Sequence, residues 1–271
     1  MTTHDYDDVF SEEGWQDLPQ LSDLAGKTVF ITGGSSGIGA FFTAAFALQG
    51  ASVGFVSLSE GPAEKLCDCV EDKTGNRPMA IAADIREINA LRGAISSVRD
   101  KFGAITILIN NAARDTRHAI EDWSVDEWDD SIATNLRPQF FAAQSVLGDM
   151  KTAGCGAIIN VGSNSFNLGL GGYPAYVAAK AGIVGITRAL ARDLGPYGIR
   201  VNALVPGWVM TARQKRLWVT DADLQGCLDQ QSLKRSLTGW DMAGPALFLA
   251  SSMSAQITGQ EMLVDGGRAY T

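Results

Sequence analysis

The sequence predicts an α/β fold, a single domain built on a doubly wound parallel sheet of seven strands with helices on both faces. Three observations predict it. From Lys27 onward, short runs rich in β-branched residues alternate with longer helical stretches. The runs are apolar at nearly every position, as in strands covered on both sides. No internal repeat or low-complexity linker divides the 271 residues, and a hydrophobic content of 46% is enough for one large core.

The elements follow in order. Strands are expected at Thr28-Val29-Phe30-Ile31, Ser52 to Val56, Met79 to Ala82, Ile105 to Ile109, Ala157 to Val161, Ile199 to Leu204 and Met262 to Val264. The first runs directly into Thr32-Gly33-Gly34-Ser35-Ser36-Gly37-Ile38-Gly39, which opens a helix whose end is marked by Gly50. Ser124 followed three residues later by Glu127 is a capping box, and the helix it opens runs toward Lys151. Pro174 stands where a first-turn proline costs no hydrogen bond, and Gly195-Pro196 closes the helix it begins.

A net charge of −8 argues against nucleic acid or an anionic membrane as a partner. Asp5, Asp7, Asp8, Glu12, Glu13, Asp17 and Asp23 all precede the first basic residue, Lys27. Residues 1–24 therefore read as an acidic N-terminal extension ahead of a domain spanning 25–271. Phe10, Trp15 and Leu18 offer that extension an apolar docking face; the alternative is a disordered tail. Mean hydropathy is close to zero, no apolar run reaches the roughly 18 to 20 residues of a membrane span, and the residues before Lys27 lack the apolar core of a signal peptide. A cytoplasmic location is expected. Cys67, Cys69, Cys155 and Cys227 suit a reducing compartment, and without His or Cys partners at ligand spacing no metal site is expected.

Two motifs carry chemistry. The glycine run has the spacing G-x-x-x-G-x-G between a strand and a helix. There the glycines let the backbone turn tightly and approach a pyrophosphate, which the amides at the helix N-terminus hold, so the fold is expected to be of the Rossmann type. Tyr176 and Lys180 lie one turn apart on one helix face. A fixed ammonium within a few ångströms favours the ionised form of a phenol, whose ordinary pKa is near 10.

Thr32 to Gly39, Asn110-Asn111-Ala112-Ala113, Asn135, Ser163 and Tyr176-x-x-x-Lys180, in that order, resemble the short-chain dehydrogenase/reductase family from about Leu24 to Gly267. Ala113 stands where glycine is usual. The resemblance implies that Tyr176 is the general base in oxidation, that Lys180 holds the nicotinamide ribose and stabilises the phenolate, that Ser163 bonds the reacting oxygen and that Asn135 holds a water on a proton route. It also implies that Gly33, Ser35, Ser36, Gly37, Ile38 and Gly39 form the phosphate loop. Asp84 and Ile85 match positions at the adenine, Asn110 and Ala112 match positions at the ribose and nicotinamide, and Pro206, Gly207, Val209 and Thr211 match those at the carboxamide. At the end of the second strand Ser57-Leu58 offers neither an acid for a ribose hydroxyl nor an arginine for a 2′-phosphate. With Ser36 where a cation often serves NADP, NAD is the expected cofactor.

Arg117-His118, Asn135-Leu136-Arg137, Leu168-Gly169-Leu170 and Pro206-Gly207-Trp208-Val209 with Thr211, Arg213 and Gln214 are similar to segments of bacterial sugar 1-dehydrogenases of the xylose dehydrogenase type. That resemblance implies oxidation of a cyclic aldose at its anomeric carbon to the lactone. The substrate contacts it implies are Arg114, Arg117, His118, Ser163, Asn164, Asn167, Trp208, Arg213 and Gln214. Because Arg114, Arg117, Arg213 and Arg216 flank the expected cleft of an acidic chain, the sugar is either neutral or acid-bearing, a uronate or a sulfonated hexose. Residues from about 208 to 238 are expected to form a lid over the substrate, or else a static helical hairpin. Two other readings stand beside this one: a carbonyl or 3-oxoacyl reductase, and a non-catalytic dinucleotide sensor, against which the presence of both Tyr176 and Lys180 counts. Family resemblance further implies a homo-oligomer, a tetramer built through the two long helices.

Overall fold

Seven apolar segments pair into one parallel sheet: β1 (Thr28–Thr32), β2 (Ser52–Ser57), β3 (Met79–Ala82), β4 (Ile105–Asn110), β5 (Gly156–Val161), β6 (Ile199–Pro206) and β7 (Glu261–Val264). Their spatial order is β3-β2-β1-β4-β5-β6-β7. The structure, a computed structural model, describes residues 9, 10 and 14–270. Asp5, Asp7, Asp8, Glu12 and Glu13 of the acidic extension lie outside the described residues. All seven strands fall where their apolar runs predict, several of them lengthened by a residue or two. β1 and β4, for example, continue to Thr32 and Asn110, which pair with each other, while Thr32 also faces Val56. The order reverses between β1 and β4, so a crevice opens beyond their carboxyl ends.

Helices cover both faces because each buries an apolar stripe. On one face α1 (Gly37–Leu48), α2 (Glu60–Thr74) and α9 (Gly239–Ala250) enclose Phe42, Phe46, Leu66 and Leu247 against the sheet. On the other, α3 (Ile88–Phe102), α5 (Arg137–Ala153) and α6 (Pro174–Leu194) contribute Leu91, Ile95, Val146 and Leu194. Ahead of α5 lies α4 (Val125–Asn135), and between β6 and α9 lie α7 (Ala212–Leu217) and α8 (Asp221–Gln230). Among the described residues, no helix is long and apolar enough to cross a membrane.

The single helix expected from Ser124 toward Lys151 is two helices. Its start is as predicted: the Ser124 hydroxyl accepts from the Glu127 amide, and Glu127 accepts from the Ser124 amide at 2.8 Å. It breaks at Leu136, with φ −127° and ψ −55°. Pro138 accounts for the break, since it has no N–H to give to the Thr134 carbonyl and its ring crowds the preceding turn, so the chain restarts with Pro138 in the first turn of α5.

The described part of the N-terminal segment is docked. Val9 is fully buried, and its carbonyl accepts a hydrogen bond from Trp240 Nε1 at 2.9 Å. Phe10 and Phe41 lie against the same indole, with ring centroids 6.2 and 5.3 Å away. Gln49 at the end of α1 accepts from the Leu21 amide at 2.7 Å and donates to the Pro19 carbonyl at 3.1 Å. Trp240 thus joins the segment to α1 and α9. Trp240→Ala should lower the unfolding free energy by about 3–5 kcal/mol and speed proteolysis within residues 9–24; denaturant titration and mass-mapped proteolysis check both.

Candidate active site

The crevice begins at the phosphate loop, where Gly33 and Gly37 adopt left-handed φ values of 68° and 54°. A Cβ on Gly39 would lie 1.9 Å from the Gly33 carbonyl oxygen, so only glycine lets α1 start this close to the loop. Asn111 Nδ2 fixes the loop from the neighbouring strand end, donating to the carbonyls of Thr32 and Gly33 at 3.1 and 3.0 Å. Ser36 precedes α1 without a side-chain cap bond, which leaves amide donors of the first turn for an anion.

From this loop a cavity of about 1340 Å³ extends past Ser57 and Asp84 on one side and past Tyr176 and Trp218 to Arg268 on the other. That exceeds the range of about 300–1,000 Å³ usual for a single small ligand, and leaves room for a dinucleotide and a second molecule. Ser163, just after β5, and Tyr176 and Lys180 on α6 meet at its centre. Ser163 sits beside the Tyr176 phenol and favours its ionised form, and Tyr173 stacks on the Tyr176 ring at 5.3 Å. Lys180, 2% exposed, donates to the Val161 carbonyl at 2.8 Å, its Nζ 5.5 Å from the Tyr176 ring centroid.

Burial dominates the electrostatics here. It pushes the phenol of Tyr176 above its ordinary value; the Asp115 carboxylate adds to the rise, while Ser163 and Arg117 oppose it. Burial lowers Lys180 from 10.5 to about 7, partly offset by Asp115. The direction for Tyr176 is opposite to the one its spacing from Lys180 suggests, because desolvation outweighs a cation that is itself hard to charge.

At the adenosine end, Ser57 and Ser35 hydroxyls lie 2.7 Å apart. Arg86 lines the cavity nearby, but donates to Asp84 at 2.5 Å and to Asp130 at 2.7 Å. At the other end two of the predicted arginines are engaged by acids. The guanidinium of Arg114 pairs with Asp130. Arg213 donates to Asp115 at 2.8 Å, as does Gln214 at 3.0 Å, and Trp208 Nε1 donates to Gln214 at 3.0 Å. Arg117 lies over the Tyr173 ring at 3.8 Å and over Trp218 at 5.5 Å. Asn164 borders the cavity but donates to the buried Asp265 at 3.0 Å.

Five predicted site residues are not among the lining side chains. Asn110 is spent on Asn160 at 2.9 Å and the Gln139 carbonyl at 3.2 Å. Asn135 accepts from the Arg114 amide at 2.7 Å and donates to its carbonyl at 3.1 Å, holding the loop after β4. Gly39 lies beneath the phosphate loop. His118 stacks on Trp123 at 3.8 Å. Asn167 points to Glu261 on the β7 edge, 2.8 Å away. Sequence reasoning also passes over Asp115, Tyr173 and Arg268, all lining residues. Asp115 does leave a signal, an acid between Arg114 and Arg117; Tyr173 stands one helical turn before Tyr176. Among the described residues no cluster of His, Cys, Asp and Glu could hold a metal.

A crevice at the strand-order reversal, a glycine cradle under an uncapped helix and a Ser-Tyr-Lys cluster beside it define a dinucleotide-dependent oxidoreductase. Residues 33–269 match the protein family described as "Enoyl-(Acyl carrier protein) reductase". The chain is 46% identical over 248 residues, 92% of its length and 97% of the relative's, to a protein of Rhizobium meliloti described as "Probable galactose dehydrogenase GalD". It is 41% identical to the D-xylose 1-dehydrogenase of Caulobacter vibrioides, over 90% of this chain and 96% of that one. The crystal structure of a gluconate 5-dehydrogenase from Burkholderia cenocepacia, in complex with NADP and tartrate, superposes with a TM-score of 0.84 at 30% identity, over 91% and 97% of the two chains. The protein belongs to the short-chain dehydrogenase/reductase family and is an NAD(P)-dependent oxidoreductase acting on CH–OH groups.

A buried amine with a lowered pKa has a definite sign. Between pH of about 7 and 10.5 the unfolded chain holds the Lys180 proton and the folded chain does not, so stability from this group rises through that window and its cost is greatest below it. The cost is at most about 5 kcal/mol at roughly 1.4 kcal/mol per unit. Lys180→Met should therefore melt several degrees above the wild type near pH 6, with the gap closing toward about pH 10; scanning calorimetry over that range checks it.

Proposed function

We propose that this protein oxidises a cyclic aldose at its anomeric carbon to the lactone, with NAD as the hydride acceptor. The observation that carries the reading is that Trp208, Arg213 and Gln214 line the same cavity as Ser163 and Tyr176, in a chain whose relatives are named for galactose and xylose.

The residues present suit the dinucleotide. Gly33, Ser35, Ser36, Gly37 and Ile38, with the first amides of α1, would hold its pyrophosphate, Gly39 letting the helix come close. Ser57, Asp84 and Ile85 would flank adenosine. Ala112, Pro206, Gly207, Val209 and Thr211 would flank nicotinamide, and Asn110 acts from behind by fixing the end of β4. Bound there, the dinucleotide supplies the hydride acceptor. Lys180 would hold the nicotinamide ribose and place its charge beside the phenol. Tyr176 Oη would take the proton of the anomeric hydroxyl, which is more acidic than an ordinary alcohol, while Ser163 orients the oxygen. Asn135, through its two bonds to Arg114, sets the loop after β4 and marks the proton route away from Lys180. The preference for NAD rests on the 2′ position. Ser35 and Ser57 bond each other, Arg86 is neutralised by Asp84 and Asp130, and among the described residues lining that end a 2′-phosphate would find no uncompensated cation.

A neutral aldose fits better than an acid-bearing one, because Asp115 compensates Arg213 and Asp130 compensates Arg114. Residues 208–238, the segment carrying α7 and α8, serve as the lid, residues 1–24 as an extension to the catalytic domain of 25–271, and the assembly is a homotetramer. A panel of neutral and acidic aldoses assayed with NAD and with NADP tests the reading. Turnover of neutral aldoses with NAD and lactone as product are expected, with Tyr176→Phe slower by about a hundred- to ten-thousandfold. Turnover confined to 3-oxoacyl reduction, or preference for uronates, would overturn it.

A further inference from the structure

Asp115 belongs to the loop after β4, lines the cavity, and has a side chain only 13% exposed. Its two oxygens accept from two side chains of α7, Arg213 Nη1 at 2.8 Å and Gln214 Nε2 at 3.0 Å. Gln214 is fixed in turn: its side-chain carbonyl accepts from Trp208 Nε1 at 3.0 Å, and its backbone N–H donates to the Thr211 hydroxyl at 3.3 Å. The methyl of Thr211 comes within 3.8 Å of where a Cβ on Gly37 would be, at the mouth of the phosphate loop. One short helix therefore reaches from the loop after β4 to the phosphate loop, across the cavity.

What holds that helix is the question. α7 has six residues, none of them buried, and a helix of that length has little stability of its own. With no buried residue of its own to anchor it, α7 is placed by its buried entry at Val209 and Met210 and by polar contacts, among which the two to Asp115 reach it from the loop after β4. The same carboxylate lies within electrostatic reach of Tyr176 and Lys180 on α6. Other charged or titratable groups facing the pair are Arg117 from the Asp115 loop and Tyr173 at the start of α6, with Arg213 facing Asp115 from α7.

We propose that Asp115 is a positioning residue: it clasps α7 over the cavity through Arg213 and Gln214, and so couples closure of the site to the Tyr176–Lys180 pair. The proposal rests on reading that pair as catalytic. Opening the clasp frees α7 for exchange of ligands, and closing it brings a carboxylate and its partner guanidinium to the edge of the reacting centre.

The test uses the full chain as wild type, Asp115→Asn, Arg213→Met and the double variant. Limited proteolysis, mapped by mass spectrometry, reads the clasp without any substrate; both single variants should be cut within 208–220 about ten times faster, the scale of one lost charge-assisted hydrogen bond. With NAD and a neutral aldose, Asp115→Asn should raise KM about tenfold with a smaller change in kcat. Its kcat/KM profile should shift to lower pH by about one unit, which a purely structural contact would not do, while Arg213→Met should reproduce the KM change. The double variant should be no worse than the worse single one. Unchanged cleavage, KM within twofold of wild type or additive single effects would overturn the clasp. If the wild type oxidises no aldose, the substrate assignment fails, and the cleavage rates alone decide for or against the clasp.

Discussion

A long cation buried with one protein hydrogen bond is the constraint around which the site is organised. Lys180 sits behind the sheet end, bonded to the Val161 carbonyl and close to a phenol. An ammonium there is costly unless something negative or strongly polar meets it. Within reach lie a phenol that can ionise, a carboxylate in Asp115, and the space where ribose hydroxyls would sit. Asp115 eases charging of the amine, and on the proposed reading an ionised phenol and the ribose hydroxyls would do the same. The free protein thus holds Tyr176 and Lys180 in their neutral-leaning forms, and the stability forgone at Lys180 is the kind of local cost that functional sites carry.

Carboxylates organise the remaining charge. Asp130 takes both Arg86 and Arg114, Asp84 takes Arg86 again, and Asp115 takes Arg213. A chain with eight surplus negative charges could have left its cleft arginines open to an anion. Instead the fold brings acids to three of them, Arg86, Arg114 and Arg213. On the proposed reading, these paired guanidinium groups act as oriented donors to hydroxyl groups.

How much of this was legible in the sequence depended on range. The strands were readable because burial on both faces leaves a continuous apolar run, and the phosphate loop because left-handed φ at Gly33 and Gly37 and the contact under Gly39 leave no other residue type. Tyr176 and Lys180 were readable from helical periodicity. The split at Leu136 had a local sign in Pro138, overridden by the periodic pattern on either side. His118 and Asn167 were misplaced, and Asp115 missed, for another reason. A side chain's choice between cavity and neighbour is settled by partners such as Trp123, Glu261 and Arg213, which local pattern does not bring together. The same limit hid the acids that pair with Arg114 and Arg213, two of the four arginines that leave an acid-bearing sugar open.

The floor and the roof of the cavity are built from different bonds. Beneath it, buried and half-buried amides lock the strand ends to one another and to α6: Asn110 to Asn160, Asn160 to Thr187, Asn111 to the phosphate loop, and Asn164 to Asp265. Asp265 also accepts from the amides of Gly267, Arg268 and Ala269, tying the C-terminal strap to the loop after β5. Breaking any of these would strand a polar group away from water, so they are held near the top of the local stability range. Above it, α7 is held by side chains that reach solvent; Arg213 is 37% exposed, and water can replace what its bond supplies. The bonds of the roof therefore give way more easily than those of the floor, as the proposed clasp of α7 by Asp115 requires.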